Sequence, residues 1–409
     1  MAVTLSAHDG ACYRSFQELR GAAAWSFVAA IVVMRLVAGG PSLCQHSPTF
    51  CNGTYPGDKL LLQGVGVTGF LPTELGLLTQ VTGIDFSDTH LSGTLPSELA
   101  LLTKLQSLQL NSNRISGSLP AWSSLRSLFI VQMEGCRVQG TLPSEWSELG
   151  LLSIVKLYGN QISGTLPPSW SHLSVLSDIM LHGNLLSGTI PTEWGNLRAL
   201  NYFQTSSQAY YGLSPTEANR LSGSIPTELG RLTNLGTLML AIPTLAGTVP
   251  SELGLLTKAQ ILVVGGDRMS GTIPTALGKL NSRLALLMVT GNRISGTLPT
   301  LAPLPPANSA LRDLVVADGL ISGSLPTEWS RLSLLERVIL KNNRLTGELP
   351  VSWASGFEYV EVLDVSHNSL SGTLPPELAN MASLERLYAP CTVPFRVSAL
   401  ARAHLRPQR

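Results

Sequence analysis

From Leu60 to Thr392 apolar residues recur in one order, L-x-x-L-x-x-L-x-L-x-x-N-x-[LI]-S-G-x-[LI]-P-x-E-[LW], with polar residues filling the gaps. LTKLQSLQLNSNRISGSLP (Leu102–Pro120) is the cleanest copy, and LSLLERVILKNNRLTGELP (Leu332–Pro350) is close to it. Leu108 and Leu110 alternate with Gln109, which predicts a short strand with one face inward. Strands at the same place in consecutive copies must then stack in parallel. One glycine per copy keeps the register: Gly69, Gly93, Gly117, Gly140, Gly164, Gly188, Gly223, Gly247, Gly271, Gly296, Gly323, Gly347 and Gly372. Seven of the twelve intervals are 24 residues, and one interval of 35 carries an insertion. The predicted architecture is an α/β repeat solenoid over residues 60–392, a right-handed horseshoe of about thirteen 24-residue coils. A parallel β-sheet lines its concave face, and no second globular domain is expected.

The remaining positions of the repeat have physical reasons. The Asn slot (Asn113, Asn160, Asn184, Asn219, Asn292, Asn343, Asn368) falls where the strand turns away, and an amide supplies both a donor and an acceptor to a turn backbone cut off from water. Thr89, Cys136 and Asp267 occupy that slot elsewhere and can partly substitute; Pro243 and Gly319 cannot, so loosening is expected there. Gly gives the backbone a path that a Cβ would obstruct, and Pro fixes φ where no ladder N–H is needed. Trp146, Trp170, Trp194, Trp329 and Trp353 stand where other copies carry Leu, which marks them as core on the convex side. The register also disposes of a dinucleotide fingerprint. Gly64, Gly66 and Gly69 read G-x-G-x-x-G, with Asp85 about 20 residues on, but Gly69 is one of the thirteen repeat glycines and Pro72 follows where a helix should open.

Composition narrows the class. Charged residues are 13% of the chain and the formal net charge is +1, so there is no concentrated basic footprint for nucleic acid. Residues 1–40 differ from the rest: Arg14 and Arg20 precede the apolar run Ala22–Met34, and Ala38, Gly39 and Gly40 follow. That order reads as a signal peptide cleaved near Gly39 or, uncleaved, as an N-terminal anchor, with a cytosolic chain as the remaining alternative. Arg35 stops the run short of the roughly 20 residues that a span needs. Residues 41–59 are read as an N-terminal cap in which Cys44 and Cys51 can form a small disulfide, and Asn52 lies in the one N-x-[ST] sequon. Cys136 is expected as a buried reduced thiol and Cys391 as a more accessible one. Residues 393–409 form a short basic tail without an apolar stretch for a membrane span, so the expectation is not a one-piece signalling receptor.

The unit resembles the plant-type leucine-rich repeat of receptor-like ectodomains and polygalacturonase inhibitors. Its GTLPSEWSEL and GTLPPSWSHL variants (Gly140–Leu149 and Gly164–Leu173) are also similar to leucine-rich surface antigens of kinetoplastid protozoa. The resemblance implies the leucine-rich repeat horseshoe and binding of a peptide, steroid, protein or glycan on its inner face. It departs from the plant pattern in having one cysteine pair at the entry end and a lone cysteine at the other.

No residues assemble into a catalytic motif. The seven His lack H-x-x-x-H pairing, no C-x-x-C or G-x-S-x-G occurs, and the recurring glutamates (Glu74 to Glu377) form a solvated outer ridge. No enzyme, cofactor or metal is expected. Partner-binding candidates are the outward strand residues. Met239, Val263, Met288, Val315 and Ile339 make an apolar stripe there, for which plain β-propensity is the alternative. Lys156, Met180, Tyr158 and His182, with Glu134 and Asp178, make a polar patch. Tyr210 and Tyr211 lie in the insertion. The expected role is extracellular or cell-surface recognition of a protein, peptide or glycan, touching membrane only through an uncleaved N-terminus. A structural or antigenic coat protein, or a cell-wall-type enzyme inhibitor, are the alternatives.

Overall fold

A computed structural model describes residues 58–64, 68–206, 219–280, 282–291, 293–299 and 309–390. The signal or anchor segment, nearly all of the cap with Cys44, Cys51 and Asn52, the insertion tyrosines Tyr210 and Tyr211, and the basic tail with Cys391 lie outside the described residues. The chain divides into two compact units, one of residues 1–187 and 214–219, the other of 188–213 and 220–409.

Both units are built from the same coil. In the first, strands Lys59–Leu61, Gly83–Asp85, Ser107–Gln109, Ile130–Gln132, Ile154–Lys156 and Asp178–Met180 pair in parallel, each with the next. In the second, the parallel series runs from Tyr202–Gln204 through Thr237–Ala241, Ile261–Gly265, Leu286–Thr290, Asp313–Ala317, Arg337–Ile339 and Val362–Asp364 to Arg386–Tyr388. The inward residues predicted from alternation are buried: Leu108, Leu110, Val155 and Leu157 are all at or below 1% exposure.

A second parallel sheet, not anticipated from the periodicity, runs through each unit at the R-x-S-G-[ST] segment. Thr68–Phe70, His90–Thr94, Arg114–Ser118, Arg137–Thr141 and Gln161–Ser163 form it in the first unit. Ala246–Thr248, Arg268–Thr272 and Arg293–Ser295 form it in the second. The repeat glycine makes this stacking possible. Gly164 has φ +78°, and a Cβ there would lie 2.8 Å from Thr141 Cγ2, so the neighbouring coil's threonine fills the space a side chain would take. After the Pro, the chain closes most described coils with a short 3₁₀ turn such as Ser144–Glu148 or Thr192–Asn196, and one with a short α-helix, Val351–Gly356. No α-helix follows Gly69, where Thr73–Leu77 is a 3₁₀ turn, and the fingerprint reading falls with it.

The convex side is tryptophan-rich core. Trp146, Trp170, Trp194, Trp329 and Trp353 have no exposure. Trp122, Trp146 and Trp170 stack with centroids 5.6 and 5.9 Å apart and planes within 7°. Each indole N–H donates one coil back, Trp146 to the Pro120 carbonyl at 3.0 Å and Trp170 to Pro143 at 2.9 Å. That satisfies the one polar atom a buried Trp brings. Trp122, whose own copy is one residue short, lacks such a partner and has φ +49°.

The Asn slot works as its chemistry predicts. Asn160 Nδ2 donates to Met133 O at 2.7 Å and Leu157 O at 3.0 Å, while its Oδ1 accepts Val138 N–H at 2.9 Å. Asn113, Asn184, Asn343 and Asn368 repeat the pattern. Thr89 and Cys136 substitute in part, Thr89 donating to Phe86 O at 2.9 Å and Cys136 to Leu110 O at 3.3 Å. Burial pushes the Cys136 thiol up to about 11, and it is a buried free cysteine.

Two expectations need correction. Asp267 does not fill the slot; it is exposed. Nor do Pro243 and Gly319 loosen their coils. In these coils the strand lengthens from three residues to five, Thr237–Ala241, Ile261–Gly265, Leu286–Thr290 and Asp313–Ala317. Backbone bonds replace the amide: Ile242 N–H reaches Gly265 O at 3.0 Å and Asp267 N–H reaches Pro243 O at 3.0 Å. The coils close together there, since a Cβ on Gly266 would lie 2.7 Å from Ile242 O and one on Gly291 2.8 Å from Gly266 O.

Asn184→Ala is expected to destabilise the protein by on the order of 1–3 kcal/mol in chemical denaturation, because it strands the buried Ile162 N–H and removes one of the two amide donors to each of Leu157 O and Leu181 O. Asp267→Ala is expected to cost under about 0.5 kcal/mol as an exposed substitution. Equal losses at the two sites would contradict the distinction drawn between the two kinds of coil.

Candidate ligand-recognition site

The strand register sets side chains of the first unit in rows one coil apart, about 4.8 Å. Asp85, Gln109, Gln132, Lys156 and Met180 are successive register partners, and all five are half-buried. Ser87, Asn111, Glu134, Tyr158 and His182 occupy the next outward position. Their backbones are tied coil to coil, as in Gly135 N–H to Tyr158 O at 2.9 Å and Gly159 N–H to His182 O at 2.9 Å. Tyr158 and His182 stack with centroids 4.4 Å apart and planes within 10°. The predicted patch therefore assembles. Asp178 stands one outward position earlier, opposite Ile154, and accepts from the Ser177 hydroxyl, so it is not beside Lys156 in the row.

The electrostatics of this patch are unusual for an exposed sheet face. Burial raises the Glu134 carboxyl above its ordinary range; its own backbone N–H and Lys156 pull it down, and Asp88 pushes it up. Burial also drives the His182 imidazole down to about 4. Glu134 Oε2 and His182 Nδ1 are shielded from solvent and have no partner, and Lys156 makes no ion pair among the described residues. Asp88 was missed from the sequence. It sits at φ +54° in the turn after the row, a position that no periodicity marks. The face offers a cation, an aromatic pair, an imidazole that burial holds neutral and a carboxyl that burial shifts upward.

The apolar stripe of the second unit is a correction. Gln204, Met239, Val263, Met288, Val315 and Ile339 are successive register partners as predicted. Yet Met239 is 1% exposed and Val263 and Val315 each 3%. Alternation predicts which way a side chain leaves the sheet but not how deeply it is covered. Here five-residue strands set large apolar neighbours directly side by side. These three residues offer no contact surface; Met288 and Ile339 are half-buried and keep some.

Residues 104–125 and 359–381 match the family model for the Leucine Rich Repeat. This is a leucine-rich repeat fold. Over 80 residues the chain is 39% identical to Receptor-like protein 39 of Arabidopsis thaliana, a stretch covering 18% of this chain and 9% of that protein. Among solved structures, that of PEPR1-AtPEP1 is similar with a TM-score of 0.68 at 28% identity, over 84% of this chain and 49% of the other. That of the plant peptide hormone receptor RGFR1 in complex with RGF2 is similar with a TM-score of 0.58 at 24% identity, over 80% of this chain and 61% of the other. The chain thus spans under a tenth of the curated relative and about half of the PEPR1 structure. No helix among the described residues is long and apolar enough to cross a membrane.

The His182 shift has a definite sign. Its native imidazole titrates near 4 rather than 6.5, so unfolding takes up a proton between those values. The contribution is fully present above pH 6.5 and is lost as pH falls toward 4. NMR titration of the native imidazole is expected to show this low midpoint, and His182→Asn to flatten stability across that window. A native midpoint near 6.5 would contradict the burial described.

Proposed function

We propose that this protein is a non-catalytic recognition protein, secreted or held at a cell surface, whose partner is a peptide or protein lying across the polar rows of the first unit. The observation that carries the reading is the group of Lys156, Tyr158, Met180 and His182, each half-buried and held side by side by the strand register. A backbone ladder that fixes these side chains in advance lowers the ordering cost of binding. Tyr and Met bring contact area, and Lys156 brings an unpaired charge to orient an acidic or carbonyl group. RGFR1, whose likeness to this chain is one of fold, is a plant peptide hormone receptor, and a peptide is on that account the first partner to test.

The reading predicts that peptide libraries panned against the purified protein yield a saturable ligand. Lys156→Glu with Tyr158→Ala should weaken that ligand by about 10- to 100-fold, and Met239→Ala should change its affinity by less than about threefold once the protein is folded. Tight binding that ignores the Lys156 and Tyr158 changes would move the site elsewhere. Absence of any ligand, with normal display at the cell surface, would favour the coat-protein reading. Inhibition of a polysaccharide-cleaving enzyme, abolished by the same changes, would favour the inhibitor.

A further inference from the structure

One row of the first unit carries a charge order that says more about a partner than its being a peptide. Asp85, Gln109, Gln132, Lys156 and Met180 are direct register partners, one per coil, with no offset along the strands. Acid, amide, amide, cation and thioether therefore follow one another in a straight line, and each is half-buried. Asp88, exposed in the turn three residues past Asp85, adds a second acid to the same end. Met180 stands at the other end with His182 two positions on, stacked against Tyr158, and supplies adaptable apolar area there.

The neighbouring charges leave this order standing. Lys156 makes no ion pair among the described residues. Glu134 lies one coil away, but its Oε2 is shielded from solvent and burial raises its carboxyl. Asp178 accepts the Ser177 hydroxyl on the flank of the sheet. The acidic end is also held in place. Ser87 N–H and Oγ both donate to Asp85 Oδ1, at 3.1 and 2.6 Å, so the carboxylate is fixed with Oδ2 outside those bonds. In the middle, Gln109 donates to Ser107 Oγ at 3.0 Å. A carboxamide has more donors and acceptors than that one bond uses, and they match those of a peptide group.

We propose that the partner, on the peptide reading given above, lies extended across the coils and carries a basic residue at i, an acidic residue at i+4 and an apolar residue at i+6. These meet Asp85 with Asp88, Lys156 and Met180 in turn. In the opposite chain direction the same order reads apolar, acidic and basic at i, i+2 and i+6. The spacing follows from two rises. Lys156 is three coils from Asp85 and Met180 four, or about 14 and 19 Å at about 4.8 Å per coil. An extended chain rising about 3.3 Å per residue covers those distances in about four and about six residues. Both counts are even, so all three side chains leave the peptide on the face turned to the row. The mixed order also selects against uniform polymers, since a polyanion meets Asp85 and Asp88 and a polycation meets Lys156.

Panning a random peptide library against the full chain, followed by affinity measurements on synthetic copies of the enriched sequence, tests the order. Enriched peptides are expected to share the basic, acidic and apolar positions at these spacings. Moving the acidic residue to i+3 or i+5 turns it to the far face and should weaken binding by about ten-fold or more. Lys156→Glu should cost the parent peptide about ten-fold or more, and a peptide with lysine at i+4 should recover most of that loss. Asp85→Asn keeps an acceptor for Ser87 and should cost about three- to ten-fold, but nothing for a peptide with alanine at i. Peptides that bind without the order, yet are lost on Lys156→Glu with Tyr158→Ala, would overturn this inference and leave the peptide reading intact. Peptides of the right order that tolerate the shifted spacing would reduce the row to unspecific charge and overturn it too. Enrichment of no peptide at all would overturn both.

Discussion

A coil that turns out of a sheet while packed between two others cannot give its turn backbone to water. Everything else in this protein depends on how that constraint is met. In most coils one carboxamide meets it, with Asn160 reaching a carbonyl in its own coil, a carbonyl in the coil before, and an N–H at the start of the second sheet. The bonds are worth little more than their counterparts in water, but leaving any of them unmade would cost far more. That asymmetry holds the coils at a fixed spacing and thereby produces in-register rows of side chains on the strands that begin each coil.

The coils from Pro243 to Gly319 show a second solution to the same constraint. In them the strand gains two residues and the backbone pairs with itself, with adjacent chains brought into contact at Gly266 and Gly291. The two solutions differ at the surface as well as in the core. Lys156 and Met180 on three-residue strands are half-buried; on the five-residue strands Met239, Val263 and Val315 are covered and Met288 stays half-buried.

The core was legible from the sequence because each buried position recurs. Trp146 and Leu229 could be equated by position alone, and both proved fully buried. The positions that were misjudged are those where the same place in the repeat meets different surroundings. Asp267 looked like a slot residue by count, yet the longer strand displaced it to the surface. Met239 looked outward-facing by alternation, which is correct, and accessible, which is not, since depth depends on neighbours one coil away. Glu134, Tyr158 and His182 were found as a group because they share a place in three consecutive copies. The second sheet was not, because its strands pair with an offset, Thr248 opposite Ser270 and Ser270 opposite Arg293, that a fixed period of 24 conceals.

The reach of the slot amide has a consequence for how such a chain can change its length. Asn113 bonds Leu91 N–H, 22 residues back, and Phe86 O, 27 back; Asn343 bonds Ile321 and Val316 at the same separations. Each bond ends within one neighbouring copy, so excising or duplicating one copy between equivalent residues leaves every new junction able to make the same bonds. Lengthening a connection from 24 residues to 35, as between Gly188 and Gly223, adds only about 0.3 kcal/mol of loop-closure entropy. Recombination between copies can therefore add or remove a row while every remaining interface keeps its bonds, each copy lost taking one interface with it.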